Sequence, residues 1–149
     1  MAKQILLIGY GNPGRLDDGL GPALADELVG LNLPNLKVDS DYQLTVEDAA
    51  EVAKFEVVIF ADASVDCAEP FYFQEILPVS EVSFTTHSIA PAGVLGLANE
   101  LFGSIAKGYV LGIRGYDFNE FGEKLSQIAR NNLKEAANFI KDIVVNQKI

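Results

Sequence analysis

Short apolar runs alternate along the chain with segments whose apolar residues recur at helical spacing. The runs predict strands at residues 4–9, 36–39, 57–61, 71–77 and 108–113. The helical spacing predicts amphipathic helices at residues 20–31, 46–54, 91–102 and 125–145. The run 57–61 is apolar at every position, which is typical of a central parallel strand covered on both faces. The run 71–77 alternates more weakly, so we expect it nearer an edge of the sheet.

This alternation of strands and helices predicts an α/β fold, a three-layer αβα sandwich with a mostly parallel central sheet. No linker, repeat or low-complexity segment divides the sequence, so residues 1–149 are expected to form a single domain. Functional groups in such sheets lie beyond the carboxyl ends of the strands. The loop after the first strand, residues 39–43 after the second, and Asp62 after the third should therefore open onto one rim.

Composition narrows the possible partners. The formal net charge is −10, with 21 acidic against 11 basic residues, which opposes binding to nucleic acid or to an anionic membrane. This negative charge could serve solubility alone, or it could favour a cationic ligand or a basic segment of a partner. The apolar runs are too short to span a membrane, and the early first strand leaves no room for a signal peptide. We therefore expect a cytoplasmic, monomeric protein, and the single Cys67 excludes an internal disulfide.

The first loop carries the most informative chemistry. It runs from Gly9 to Gly21, is rich in glycine, and holds the adjacent carboxylates Asp17 and Asp18. Carboxylates would repel a phosphate, but they suit a cation or an acid–base reaction. Either residue could instead cap the following helix. One carboxylate is enough for a cap, so Asp17 is the one assigned to the turn, and its replacement by Asn is expected to do less harm than that of Asp62.

Two further residues extend this set. Asp62 directly follows the predicted central strand, and His87 is the only histidine. Asp62 could simply belong to a turn, and His87 could be a packed or surface residue. Together with Asp18, however, they make two carboxylates and one imidazole, which suits a divalent transition metal with open coordination positions. Cys67 could pair with His87 as a nucleophile, but neighbouring acidic residues would raise its thiol pKa and weaken it.

The opening of the chain also matches two other patterns. Residues 9–14 fit the Gly-x-Gly-x-x-Gly of dinucleotide-binding folds, yet Pro13 and the acidic insert delay the helix that would hold the pyrophosphate. Residues 8–14 also resemble the opening of bacterial peptidyl-tRNA hydrolases. That family continues with a Thr-Arg-His-Asn segment carrying its catalytic histidine, whereas this chain has no histidine before His87.

Taken together, the motifs resemble the nickel–iron hydrogenase maturation endopeptidases over nearly the whole chain. The second motif of the family is a strand ending in Asp-Ala, here Asp62-Ala63, and the third is Thr86-His87-Ser88, followed by Pro91 and a helix. The first motif is a strand, then Gly-x-Gly-Asn, an acidic pair and Gly-x-Gly, matched here by Gly9, Gly11, Asn12, Asp17, Asp18, Gly19 and Gly21.

The resemblance implies an endopeptidase that removes the C-terminal extension of a hydrogenase large-subunit precursor after nickel insertion. It places both the metal contacts and the catalytic role on Asp18, Asp62 and His87. The nickel would be carried by the substrate, with no tightly bound cofactor in the enzyme. Either the metal polarises the scissile carbonyl or a carboxylate activates water. A peptidyl-tRNA hydrolase-like enzyme and a noncatalytic nickel-sensing chaperone are the alternatives.

Overall fold

The computed structural model describes residues 2–80 and 89–149. His87 therefore lies outside the described residues. The strands are β1 (Ile5–Tyr10), β2 (Leu36–Asp41), β3 (Val57–Ser64), β4 (Phe71–Ile76) and β5 (Lys107–Arg114). The helices are α1 (Leu20–Val29), α2 (Glu47–Val52), α3 (Pro91–Phe102) and α4 (Gln127–Val145), and a 3₁₀ turn at Leu16–Gly19 precedes α1.

The five strands form one sheet in the order β2-β1-β3-β5-β4. All neighbouring pairs are parallel except β4 and β5, which are antiparallel. The predicted α/β class with a mostly parallel sheet is confirmed, and β4 lies at the edge where its weaker alternation placed it. An antiparallel edge strand on a parallel sheet is common in folds of this kind.

Helices cover both faces of the sheet. One buried cluster joins α1 and α4 to alternate strand residues such as Ile5, Leu7 and Ile59. The other joins α2 and α3 to the residues between them, such as Leu6, Ile8 and Phe60. Because successive side chains of a strand point to opposite faces, a strand covered on both sides must be apolar throughout. This explains the unbroken apolar runs of β1 and β3.

The structure corrects the predicted end of the central strand. β3 was expected to stop at Ala61, with Asp62 following it, but the strand continues to Ser64. Pairing with β1 ends at Ala61, whereas pairing with β5 goes on through Asp62, opposite Gly112. Asp62 thus lies within a strand, just after the point where pairing with β1 stops.

No helix within residues 2–80 and 89–149 is long and apolar enough to cross a membrane.

The start of α1 approaches the sheet unusually closely. A methyl group at Gly21 would overlap the carbonyl oxygen of Tyr10 and come within 2.7 Å of that of Ala61. Gly11 has a φ of +140°, and a side chain there would overlap the carbonyl oxygen of Asp18. Glycine is the residue that fits both places. The glycines of the first motif therefore bring the helix, the 3₁₀ turn and the strand ends together.

We expect Gly21→Ala to reduce the free energy of unfolding by more than about 2 kcal/mol, because overpacking against backbone atoms cannot be relieved by a side-chain rotation. Gly30→Ala at the other end of α1 is the control. Gly30 has ordinary helical φ and meets no atom closer than 3.4 Å, so its replacement should be neutral or slightly stabilising. Urea denaturation of both variants measures the difference, and equal stabilities would contradict the close-approach argument.

Candidate active site

A cleft of about 480 Å³ opens beyond the carboxyl ends of β1 and β3. The connection after β1 leads to β2, which lies on one side of β1. The strands β3, β5 and β4 lie on the other side of β1. The cleft therefore sits where the strand order reverses, the usual ligand position in an open α/β sheet. Asp18 and Asp62 both line it, together with Tyr10, Tyr42 and the start of α3. The structure thus brings two of the three predicted site residues into one cleft.

The pKa of the Asp62 carboxyl group is strongly shifted by its surroundings. Burial raises its pKa to about 6, and the negative charge of Asp18 acts in the same direction. Hydrogen bonds from the Ala63 N–H, at 2.8 Å, and from the Tyr10 hydroxyl oppose the increase. A carboxyl group with a pKa near 6 can both accept and donate a proton near neutral pH. Asp62 is therefore suited to general acid–base chemistry.

Tyr10 is a residue of this cleft that the sequence analysis missed. Its hydroxyl group bonds to the Asp62 carboxylate, and burial followed by the charge of Asp62 raises the pKa of Tyr10 well above its ordinary value. The hydroxyl thus stays protonated and acts as a donor. The alternation of side chains along each strand could have indicated this contact. Tyr10 lies on the same face of the sheet as Leu6 and Ile8, and Asp62 on the same face as Phe60. Both residues therefore face the side covered by α2 and α3.

Asp18 is held by the loop that precedes it. Its carboxylate accepts the N–H of Asn12 at 2.9 Å, and its own N–H donates to the Arg15 carbonyl at 3.1 Å. Asn12 in turn accepts the N–H of Gly14 on its side-chain oxygen at 2.8 Å. These local bonds fix the turn that carries Asp18 to the cleft.

The remaining backbone donors of this loop are also engaged. The N–H of Gly11 donates to Asp41, that of Arg15 to Asn12, that of Leu16 to Gly122 and that of Asp17 to Asp117. Every N–H from Gly11 to Asp18 therefore has an acceptor, apart from Pro13, which has no N–H. A phosphate cradle or oxyanion hole needs backbone donors that point at the ligand. The N–H groups of residues 11–18 are thus bonded within the protein, and what these residues offer to the cleft is the side chain of Asp18.

Asp17 serves the fold rather than the cleft. Its side chain is 0% exposed, and its carboxylate accepts the N–H groups of Tyr116, Asp117 and Ser126 at 2.8–3.0 Å and the Ser126 hydroxyl at 2.7 Å. Ser126 is also the N-cap of α4, where its side chain accepts the Ala129 N–H. Asp17 thus ties the turn carrying Asp18 to the segment between β5 and α4. The assignment of Asp17 to the turn agrees with this position.

The third predicted site residue, His87, falls outside the described residues, so its role stays a prediction. The chain lines the cleft at Ile89, two residues further along, and continues through Ala90 into the first residue of α3, Pro91. On the other side of the undescribed segment, Val79 donates its N–H to the Ala92 carbonyl at 3.0 Å. Among the described residues, no group of three or more His, Cys, Asp or Glu side chains is arranged to hold a metal.

Cys67 lies in the loop between β3 and β4 and is half-buried. Its thiol donates to the Gly112 carbonyl at 3.6 Å, and its carbonyl accepts from the Arg114 guanidinium at 2.8 Å. These contacts give the residue a structural place beside β5.

Several solved structures similar to this chain are hydrogenase maturation proteases. The NiFe hydrogenase maturation protease HycI from Thermococcus kodakarensis KOD1 is similar with a TM-score of 0.74 and 23% identity, over 95% of this chain and 93% of that chain. The hydrogenase maturating endopeptidase HybD from E. coli is similar with a TM-score of 0.67 and 19% identity, over 92% and 89%. No protein-family model and no curated protein matches the sequence.

An uncharacterized protein from Wolinella succinogenes is also similar, with 28% identity and a TM-score of 0.64 over 95% of this chain and 96% of that chain. The chain therefore has the fold of the hydrogenase maturation proteases over nearly its whole length. The resemblance indicated by the sequence motifs is confirmed at the level of the fold.

Asp17→Asn should reduce the free energy of unfolding by about 2–4 kcal/mol, because an amide cannot accept all four buried donors. Asp26→Asn on the exposed surface of α1 removes the same charge and should change stability by less than about 0.5 kcal/mol. Urea denaturation measures both. A variant at position 17 as stable as the control would show that the buried bonds contribute little.

Asp62→Asn should stabilise the free protein at neutral pH. Between about pH 4 and pH 6 the folded protein keeps the Asp62 proton while the unfolded chain has lost it, so stability falls as pH rises through this interval. The neutral amide avoids this loss. We expect the variant to gain about 1–3 kcal/mol over the wild type at pH 7.5 and to gain little at pH 4. Denaturant unfolding at both pH values measures the difference; a gain independent of pH would contradict the assignment.

Proposed function

We propose that the protein is an endopeptidase that removes the C-terminal extension of a nickel–iron hydrogenase large-subunit precursor after nickel has been inserted. The observation that carries the proposal is that Asp18 and Asp62 line one cleft, at the place where the strand order of the sheet reverses. The fold shared with the maturation proteases and the matching motifs support it. A cytoplasmic location and a monomeric state belong to the same proposal.

In the proposed reaction, Asp62 acts as the general base. Its carboxylate takes a proton from the water molecule that attacks the scissile carbonyl carbon, and it returns that proton to the amide nitrogen as the C–N bond breaks. In the free protein the pKa of Asp62 is raised to about 6, so its carboxyl group can exchange a proton near neutral pH. The Tyr10 hydroxyl holds the carboxylate in place through its hydrogen bond.

In this proposal, the enzyme recognises the nickel-loaded precursor through its nickel. We assign Asp18, Asp62 and His87 as the residues that contact the metal carried by the substrate. Two carboxylates and one imidazole, with no thiolate, form an incomplete set for holding an ion tightly. Ligands from the substrate's own metal centre would complete the shell. A precursor without nickel lacks the group that this site is suited to contact, so cleavage would follow nickel insertion.

Incubation of a purified large-subunit precursor with this protein tests the proposal. Mass spectrometry should detect loss of the C-terminal extension from the nickel-loaded precursor and not from the nickel-free one, with a chelator present that removes free ions only. Asp62→Asn and Asp18→Asn should reduce the cleavage rate by at least about 100-fold, the range expected when a general base or a metal contact is removed. Asp26→Asn is the matched control and should cleave like the wild type.

Each of the other outcomes would indicate a different function for this protein. Efficient cleavage of the nickel-free precursor would contradict nickel recognition and indicate a conventional peptidase. Stable binding of the loaded precursor without cleavage would indicate the noncatalytic nickel-sensing chaperone. Hydrolysis of peptidyl-tRNA with no effect on either precursor would indicate the third possibility, which the acidic cleft disfavours because tRNA is an anion.

A further inference from the structure

Tyr72 lies in one row with Asp62 across the sheet. In the parallel pairing of β3 and β5, Asp62 is opposite Gly112, and in the antiparallel pairing of β4 and β5, Tyr72 is opposite the same glycine. Residues that are opposite one another in neighbouring strands have their side chains on the same face of the sheet. Tyr72 and Asp62 therefore face the same side, and only a glycine separates them.

The neighbours of Tyr72 in β4 agree with this orientation. The rings of Phe71 and Phe73 both contact Phe139 of α4, with ring centroids 5.1 and 5.0 Å apart. Because successive side chains of a strand alternate between the two faces, Tyr72 points away from α4. It therefore lies on the side of α2 and α3, which Asp62 also faces.

The absence of a side chain at Gly112 lets the Tyr72 ring lie across β5. A Cβ atom at Gly112 would overlap Cε1 of this ring and come within 2.8 Å of Cζ, the carbon that carries the hydroxyl group. The ring thus leans over the glycine, and the hydroxyl extends from β4 toward β3 and Asp62. Burial raises the pKa of Tyr72, and the charge of Asp62 acts in the same direction, so the hydroxyl keeps its proton.

The Tyr72 hydroxyl is available to a ligand. Tyr72 is 40% exposed, and within residues 2–80 and 89–149 its hydroxyl has no hydrogen-bond partner. By contrast, the Tyr10 hydroxyl is bonded to Asp62, and the Tyr116 hydroxyl is bonded to Glu69. Tyr72 thus presents an unused donor close to the carboxylate that the proposed reaction uses as its base.

Peptide hydrolysis needs such a donor. When water attacks the scissile carbonyl carbon, an electron pair of the C=O bond moves onto the oxygen, and donors that point at this oxygen lower the barrier. The N–H groups of residues 11–18 cannot serve, because all of them bond to acceptors within the protein. A side-chain donor next to Asp62 would fill this place.

We propose that Tyr72 is a catalytic residue whose hydroxyl donates a hydrogen bond to the scissile carbonyl oxygen. The oxygen of water bonds to the carbonyl carbon, Asp62 takes the proton of this water, and the charge that forms on the carbonyl oxygen is stabilised by the Tyr72 hydroxyl. When the C=O bond forms again, the C–N bond breaks and Asp62 returns the proton to the nitrogen. Tyr72 keeps its own proton throughout. This inference rests on the proposed function, which supplies the peptide bond and the base.

Steady-state cleavage of the nickel-loaded precursor tests this role. Tyr72→Phe keeps the ring over Gly112 and removes only the hydroxyl. We expect kcat to fall about 100-fold, as for loss of one oxyanion donor, with KM changed less than about twofold. Urea denaturation should give the variant the stability of the wild type, which separates loss of the donor from loss of the fold.

Tyr109→Phe is the matched control. It removes a hydroxyl from β5 on the opposite face of the sheet, where the Tyr109 ring stacks on Phe73 with centroids 4.9 Å apart. This variant should cleave the precursor like the wild type. An unchanged kcat in Tyr72→Phe, or an equal loss of kcat in both variants, would overturn the inference and leave the proposed function standing.

A measurement without turnover separates this inference from the proposed function. Fluorotyrosine-labelled protein is titrated with the nickel-loaded precursor, and the fluorine signals of Tyr72 and Tyr109 are assigned as those missing from the two Phe variants. We expect the Tyr72 signal to shift on binding and the Tyr109 signal to stay in place. A shift at Tyr72 without cleavage would refute the proposed function and retain the contact of Tyr72 with the bound precursor. Absence of both the shift and cleavage would refute both proposals.

Discussion

The arrangement of the cleft depends on one buried carboxylate. Asp17 accepts four hydrogen bonds from residues about a hundred positions further along the chain. It lies next in sequence to Asp18, and its donors belong to the segment that leads from β5 into α4. A carboxylate without exposure is costly to bury unless its oxygens are fully bonded. The position of Asp18 therefore depends on the contact between the first loop and the segment from β5 to α4, and not on the local turn alone.

The same loop shows how a glycine-rich sequence can serve packing instead of ligand binding. Gly11 and Gly21 are needed because backbone atoms of the strand ends and the 3₁₀ turn lie where side chains would be. The N–H groups of residues 11–18 all bond to acceptors within the protein. Phosphate-binding loops use similar sequences but leave those groups directed at the ligand. The resemblance of residues 9–14 to a dinucleotide-binding motif is thus explained by backbone crowding.

Strand and helix positions followed from the hydrophobic pattern, because β1 and β3 are unbroken apolar runs and α4 has its apolar residues at helical spacing. The rule that strand ends share a rim was enough to place Asp18 and Asp62 in one cleft. What the hydrophobic pattern could not give was the end of β3, which is set by its pairing with β5 as far as Ser64, or the contact of Asp17 with Ser126. Both depend on residues distant in sequence, and a local pattern contains no information about them.

The cleft combines burial with an excess of negative charge. Burial and Asp18 both raise the pKa of Asp62, and only the bonds from Ala63 and Tyr10 oppose them. A lysine in the wall would relieve this repulsion and stabilise the fold, yet the described walls contain none. Functional sites commonly retain such unfavourable arrangements at a cost in stability. A positively charged centre or side chain brought by a ligand would neutralise the carboxylates, so the free energy that destabilises the free protein would favour the complex. The negative charge of the cleft thus favours a cationic ligand over an anionic one.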